Sequence, residues 1–152
     1  MKLSEILRED RVYVKVPFKS KDEVMQHLLN LIGQGYTPET VTKLHDSVYI
    51  REAAMSTGIG HGVAIPHGKT EATNGDIEAA MVTLDVPVDW NALDELPVNI
   101  VIMFISSHKR PSLYLQALAH ASYLLHRPEV RKQLLEAALP NQIMNIFQNE
   151  EL

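Results

Sequence analysis

Residues 57–70 read TGIGHGVAIPHGKT. The run holds four of the seven glycines and two of the seven histidines of the chain. It suits neither a helix nor a core strand. Glycine permits backbone conformations that other residues resist, while Pro66 fixes one dihedral and biases Ile65 towards an extended form. A small apolar segment, Val63-Ala64-Ile65, lies inside it. The reading is a short strand that delivers His67 to a shaped, glycine-lined surface.

The flanking sequence builds a scaffold for that surface. Residues 3–9 can form a helical turn, and Val12–Val16 alternates and is β-branched, a strand pattern ended by Pro17. Ser20-Lys21-Asp22-Glu23 has the S-x-x-E spacing of a capping box, so a helix starts there. Val24, Leu28, Leu29, Leu31 and Ile32 form its apolar stripe, and Gly33 and Gly35 end it. Thr37 caps a second helix with Pro38 in its first turn; Val41, Leu44, Val48 and Tyr49 face inward. That helix runs to about Glu52, which puts Arg51 at its C-terminal end, where the helix dipole favours a cation.

Downstream, 76–84 reads as a strand and 85–90 as a turn with a short extended piece. Residues 96–106 carry the apolar run Ile100–Ile105, the pattern of a strand covered on both faces. After a polar, basic loop at 106–111, residues 112–127 form a long helix with Leu113, Leu115, Leu118, Ala121, Leu124 and Leu125 inward. Two short helices follow, from Pro128 to about Ala137 and from Pro140 to Gln148. Helices interleaved with at least three strands predict a layered α/β or α+β domain. At 152 residues, with no repeat or linker, one domain spanning 1–152 is expected.

Composition removes several function classes. A net charge of −5 argues against a nucleic-acid binder, which normally presents a basic face. Without cysteine, a disulfide framework, thiolate catalysis and a cysteine zinc site are excluded. The N-terminal residues have no apolar signal core, and no apolar run reaches the roughly 18 residues of a membrane span. A cytoplasmic protein with no direct membrane insertion is expected.

The chemistry centres on His67. Glycine amides in the loop, with Lys69 and Arg51, are expected to make an anion-binding concavity around a nucleophilic imidazole. That combination suits the acceptance and onward transfer of a phosphoryl group, which demands positioning and charge stabilisation above all. Three rivals fail. Gly68-Lys69-Thr70 resembles the tail of a P-loop, but the motif requires glycine at position 63, which is Val63. His61 and His67 match no metal-ligand spacing with His45, His108, His120 or His126, so no metal is expected. Ser56 and Ser112 lie outside any G-x-S-x-G motif. Of the remaining histidines, His27 and His45 read as structural or exposed, and Trp90 reads as a packing residue.

Arg51-Glu52, Ser56-Thr57-Gly58-Ile59-Gly60 and Gly62-Val63-Ala64-Ile65-Pro66-His67-Gly68-Lys69 together resemble the signature of EIIA domains of the mannitol/fructose class. These belong to the bacterial phosphoenolpyruvate:sugar phosphotransferase system and include the nitrogen-regulatory EIIA. The likeness extends over essentially the whole chain, through Tyr114-Leu115-Gln116-Ala117-Leu118-Ala119. It implies a mixed β-sheet flanked by helices and a transient phosphohistidine, with no cofactor. Carried over, His67 receives the phosphoryl group from the phosphocarrier HPr or its counterpart and passes it to an EIIB partner, while Arg51 stabilises its charge. Regulatory target proteins are the alternative partners. Thr57, Gly58, His61, Gly68, Lys69 and Tyr114 are expected to line the site. The family usually places a second histidine where this chain has Tyr114, and His61 is a candidate to replace that imidazole in part.

Overall fold

A computed structural model describes residues 2–74 and 77–151. A short helix α1 (Leu3–Ile6) and a 3-10 turn (Glu9–Arg11) lead into strand β1 (Val12–Val16). Helices α2 (Lys21–Gly33) and α3 (Pro38–Ala54) follow. Three short strands come next: β2 (Gly58–Gly60), β3 (Val63–Ala64) and β4 (His67–Lys69). Two long strands, β5 (Ile77–Val88) and β6 (Val98–Ser106), precede helices α4 (Pro111–Leu125), α5 (Pro128–Glu136) and α6 (Pro140–Glu150).

The strands form one mixed sheet in the order β1-β5-β6-β3-β2. β5 and β6 are antiparallel, while β1 runs parallel to β5. β3 and β4 both pair parallel with β6, in line along one edge: Val63 and Ala64 match Ile100 and Val101, and His67 to Lys69 match Phe104 to Ser106. The short strands are thus hung on β6, and its geometry sets theirs.

Strand periodicity explains why β6 is apolar from Ile100 to Ile105. Successive side chains point to opposite faces. Ile100, Ile102 and Phe104 enter a core with Ala117, Ala121, Leu124, Val130, Leu134, Ile143 and Phe147 of α4 to α6. Val101, Met103 and Ile105 enter a second core with Val24, Leu28, Ile32, Leu44 and Val48 of α2 and α3. Each fully buried large aliphatic or aromatic side chain contributes about 1.5–3 kcal/mol, so both layers are held by hydrophobic burial. Ser20 caps α2 by accepting the Glu23 amide at 3.1 Å, one half of the expected capping box, while the Glu23 carboxylate accepts the Lys19 amide at 3.2 Å. Among the described residues no helix is long and apolar enough to cross a membrane.

Three local expectations need correction. Residues 85–88 continue β5 and do not turn out of it; the register against β6 shifts between Thr83 and Val88, and Pro87 is accommodated in that irregular, exposed piece. Leu115 faces out, 62% exposed, and Tyr114 takes the inward position, 5% exposed. Tyr114, Ala117, Ala121, Leu124 and Leu125 form the buried stripe of α4; the expected Ala121, Leu124 and Leu125 lie in it, while Leu113 and Leu118 are half-buried. On α3 only Leu44 and Val48 of the expected inward set are fully buried; Val41 and Tyr49 are half-buried. Asp76, the expected start of β5, lies outside the described residues.

Candidate functional site

α3 delivers the site's arginine. Thr37 Oγ1 caps the helix by accepting the Thr40 amide at 3.2 Å. At the other end, Arg51 Nη1 donates to the Met55 carbonyl at 2.7 Å. That carbonyl lies just past the last helical residue, so the bond satisfies an end group and holds the guanidinium over the following loop. Arg51, Thr57, Gly58, Ile59, His67 and Leu118 are among the walls of an open cleft of about 530 Å³.

The neighbouring Glu52 fixes the loop itself. Its carboxylate is buried and accepts the Thr57 amide at 2.8 Å, the Thr57 hydroxyl, and Lys21 Nζ at 2.9 Å. Trp90 Nε1 donates to Thr57 Oγ1 at 3.3 Å, and Ser56 Oγ donates to the Trp90 carbonyl at 2.8 Å. A buried carboxylate holds its charge only where such donors and a cation compensate its lost hydration. Glu52, noted in the sequence only as part of a signature, and Trp90, expected only to pack, are therefore also polar supports of the loop. Their partners stand 31 and 33 positions away, and only the fold brings them together.

From Thr57 the chain makes a hairpin. His61 and Gly62 have φ of 58° and 81° and occupy the two central turn positions between β2 and β3, which is the primed-turn geometry of tight hairpins. The Ile65 amide then donates to the Thr57 carbonyl at 3.0 Å, and the Pro66 carbonyl accepts the Phe104 amide at 3.0 Å. These two bonds pin the Ile65-Pro66 link on both sides. His67 follows as the first residue of β4.

His67 Nδ1 lies 2.8 Å from the Ile65 carbonyl. A carbonyl only accepts, so Nδ1 carries the proton and Nε2 is left with its lone pair. The His67 pKa lies below the usual imidazole range. Burial is the main cause; the Ile65 carbonyl opposes it, Arg51 lowers it further, Glu52 raises it, and Lys69 lowers it. The ring is thus held neutral, in one tautomer and one orientation. The Tyr114 ring meets it edge-on at 5.9 Å between centroids. Lys69 Nζ sits 4.9 Å from the centroid of that tyrosine. The Tyr114 hydroxyl is pushed up to about 12 by burial, against the pull of Arg51, so it stays protonated. Among the described residues it makes no hydrogen bond, and it is free to donate one.

The structure brings Arg51, Thr57, Gly58 and His67 to one cleft, with Tyr114 and Lys69 beside His67. It does not bring His61 there: that ring lies edge-on to His126, 5.2 Å away between centroids. The set of accessible loop amides expected from the sequence is corrected at Thr57 and Gly58. The Thr57 amide goes to Glu52, the Gly58 amide to Ser56 Oγ at 3.2 Å, and the His61 amide to Asp94 Oδ2 at 2.9 Å. Gly68 is instead required by close approach. A Cβ there would lie 2.8 and 2.9 Å from the Ser47 backbone carbon and oxygen. Contact between β4 and α3 is that tight, and it puts the start of β4 against the helix that carries Arg51.

The other histidines are dispersed. His45 stacks on Tyr49, the His108 amide donates to Glu71 at 3.0 Å, and His120 Nε2 pairs with Glu151 at 2.8 Å. Among the described residues no group of three or more His, Cys, Asp or Glu is arranged to hold a metal ion.

Comparisons with known proteins give the family and the fold. The sequence profile of the phosphoenolpyruvate-dependent sugar phosphotransferase system EIIA 2 family matches residues 5–150. The "PTS system fructose-specific EIIABC component" of Bacillus subtilis is 31% identical over 151 residues, 99% of this chain, which spans 24% of that protein. A "Nitrogen regulatory protein" of Pseudomonas aeruginosa is 31% identical over 137 residues, 90% of this chain and 88% of that one. Among solved structures, the nitrogen regulatory protein IIA-Ntr of Neisseria meningitidis superposes with a TM-score of 0.88 at 21% identity, covering 95% of this chain and 98% of that one. Enzyme IIA mannitol of Escherichia coli, solved in complex with phosphorylated enzyme IIB mannitol, gives a TM-score of 0.77 at 14% identity, with 94% and 99% covered. These two structures share the fold. With its profile matched almost from end to end, the chain belongs to the EIIA 2 family of the phosphoenolpyruvate-dependent sugar phosphotransferase system.

Proposed function

We propose that the chain is a cytoplasmic phosphocarrier in which His67 takes a phosphoryl group from an HPr-like donor and passes it to an EIIB component. The observation that carries the reading is the 2.8 Å bond from His67 Nδ1 to the Ile65 carbonyl. It leaves Nε2 as a fixed lone pair on a ring held neutral, in a cleft shared with Arg51. The Nε2 lone pair attacks phosphorus as the donor's phosphorus–nitrogen bond breaks, and the donor imidazole leaves and takes a proton. Arg51 and Lys69 offset the charge on the phosphoryl oxygens, and the Tyr114 hydroxyl donates to one of them. The second transfer reverses the roles: a nucleophile of the EIIB partner attacks, and neutral His67 is regenerated. Support for an EIIB partner comes from the E. coli IIA mannitol fold-mate, which was solved with its phosphorylated IIB.

Incubation with phosphoenolpyruvate, enzyme I and HPr, followed by intact-mass measurement, tests this. The wild type gains one phosphoryl group and His67→Ala gains none. A wild type that stays unmodified with both the sugar-branch and the nitrogen-branch donors sinks the proposal.

A second reading has a specific observation behind it. The nitrogen regulatory relative is 31% identical over 137 residues, as similar to this chain as the fructose component is. Under that reading the phosphorylation state of His67 selects the proteins that bind the chain. Affinity capture with His67 phosphorylated and unphosphorylated separates the two, since an EIIB supports transport and a state-dependent kinase, regulator or transporter supports regulation.

A further inference from the structure

The fold brings together two histidines that the sequence holds 65 positions apart. His61 stands at the apex of the β2–β3 turn, and His126 is the residue that ends α4. Both are exposed. Their rings lie 5.2 Å apart between centroids, with an interplanar angle of 76°.

The backbones that carry the two rings are fixed. The His61 amide donates to Asp94 Oδ2 at 2.9 Å, and the residue sits in the left-handed region at φ 58°, a position that favours glycine or asparagine. The His126 amide donates to the Ser122 carbonyl at 3.0 Å, and its carbonyl accepts from Arg131 Nη1 at 2.6 Å. Among the described residues neither ring makes a hydrogen bond, so the ring nitrogens are not committed within the protein.

The ring separation matches chelation. A zinc-bound imidazole nitrogen lies about 2.0–2.1 Å from the metal, which puts the ring centroid about 3.2 Å from it. Two such rings at a tetrahedral angle have centroids about 5.2 Å apart. We propose that His61 and His126 form a two-histidine site for a borderline divalent transition metal, of the Zn²⁺ or Cu²⁺ class. With no third ligand arranged around it among the described residues, the site leaves coordination positions for water and is exchangeable.

The position of the pair gives the site a consequence. Gly58 and Ile59 of β2 line one side of the cleft around His67, and Leu118, Ala119 and Ser122 of α4 line another. His61 lies two residues beyond Ile59, and His126 lies one helical turn beyond Ser122. A metal held by both rings staples these two walls at one end and limits their relative movement. The consequence for phosphoryl transfer rests on the proposed function; the metal site itself does not.

Calorimetric titration of the full chain with Zn²⁺ alone and with Cu²⁺ alone tests the site, together with electron paramagnetic resonance of the Cu²⁺ form. The wild type binds one ion with two imidazole nitrogens coupled to Cu²⁺, and Cu²⁺ binds more tightly than Zn²⁺. His61→Asn, which retains a residue suited to the left-handed turn, and His126→Gln each weaken binding about tenfold or more, through loss of the chelate. Equal binding in wild type and variants, a one-imidazole spectrum, or no binding up to about 1 mM metal overturns the site and leaves an edge-on ring contact only. In the second arm, Zn²⁺ slows phosphoryl acceptance by the wild type several-fold and leaves His126→Gln unaffected. An unchanged rate in the metal-bound wild type overturns the stapling. A metal-free wild type that accepts no phosphoryl group contradicts the phosphocarrier reading instead, and the titration still decides the site.

Discussion

The side chain of His67 is bonded to the backbone of a residue two positions earlier: Nδ1 donates to the Ile65 carbonyl at 2.8 Å. The intervening Pro66 makes this possible. It holds the link extended, while its own carbonyl accepts the Phe104 amide at 3.0 Å. The phosphoryl group is therefore expected on Nε2. Nitrogen-15 and phosphorus NMR of the phosphorylated protein read the position, and a phosphorus–Nδ1 coupling would show that the tautomer argument is wrong.

Acceptance of the phosphoryl group should persist into mildly acidic solution. His67 is nucleophilic only when neutral, and its pKa lies below the ordinary 6.5 because of burial, with Arg51 and Lys69 adding to it. The rate should fall only as pH drops through that lowered value. Arg51→Gln raises the midpoint towards the ordinary value as well as slowing transfer. Stability carries the same sign. His67 and His27 both have depressed folded pKa values, so the unfolded chain binds more protons once pH drops below about 6.5. Stability is held above that pH and declines as pH falls through the folded values. Quench-flow rates and thermal melts between pH 7.5 and 5 measure both effects.

Tyr114→Phe separates chemistry from packing. Among the described residues the hydroxyl has no partner to lose, so stability should stay within about 0.5 kcal/mol of wild type. A hydrogen bond to a charged oxygen contributes about 1.5–3 kcal/mol, which predicts phosphoryl transfer about 10- to 100-fold slower. An unchanged single-turnover rate would reduce the tyrosine to a wall of the site.

Glu52→Ala should be the most damaging substitution near the loop. It orphans the Thr57 amide and hydroxyl and leaves Lys21 unpaired. The expected loss is about 2–4 kcal/mol, because one member of a buried, hydrogen-bonded pair is removed. Urea unfolding measures it. Glu52→Gln keeps part of the acceptor and should cost less.

Gly68→Ala drives a methyl group into the Ser47 backbone. Overpacking of this kind costs about 1–3 kcal/mol and displaces β4, so both stability and phosphoryl acceptance should fall. Ser47→Gly should not rescue it, because the obstructing atoms include backbone carbon and oxygen at 2.8 and 2.9 Å. Recovery in the double variant would place the obstruction in the serine side chain alone.

Local sequence determined what depends on neighbouring residues. The caps at Ser20 and Thr37 set the starts of α2 and α3, and the unbroken apolar run of β6 foretold a strand buried on both faces. Arg51 at a helix end and the Pro66-His67 step were legible for the same reason. Contacts between distant residues were not. Glu52 needed Lys21 and the Thr57–Trp90 pair, and the inward turn of Tyr114 came from α4 packing on the sheet rather than from its leucines. The loop glycines illustrate both sides. Their number announced an unusual backbone, but only the tertiary structure decided that Gly68 makes room for α3 while Glu52, Ser56 and Asp94 take the Thr57, Gly58 and His61 amides. Sequence fixes which groups are present and their local conformation. Which of them meet across the sheet is decided by burial and hydrogen bonding over the whole chain.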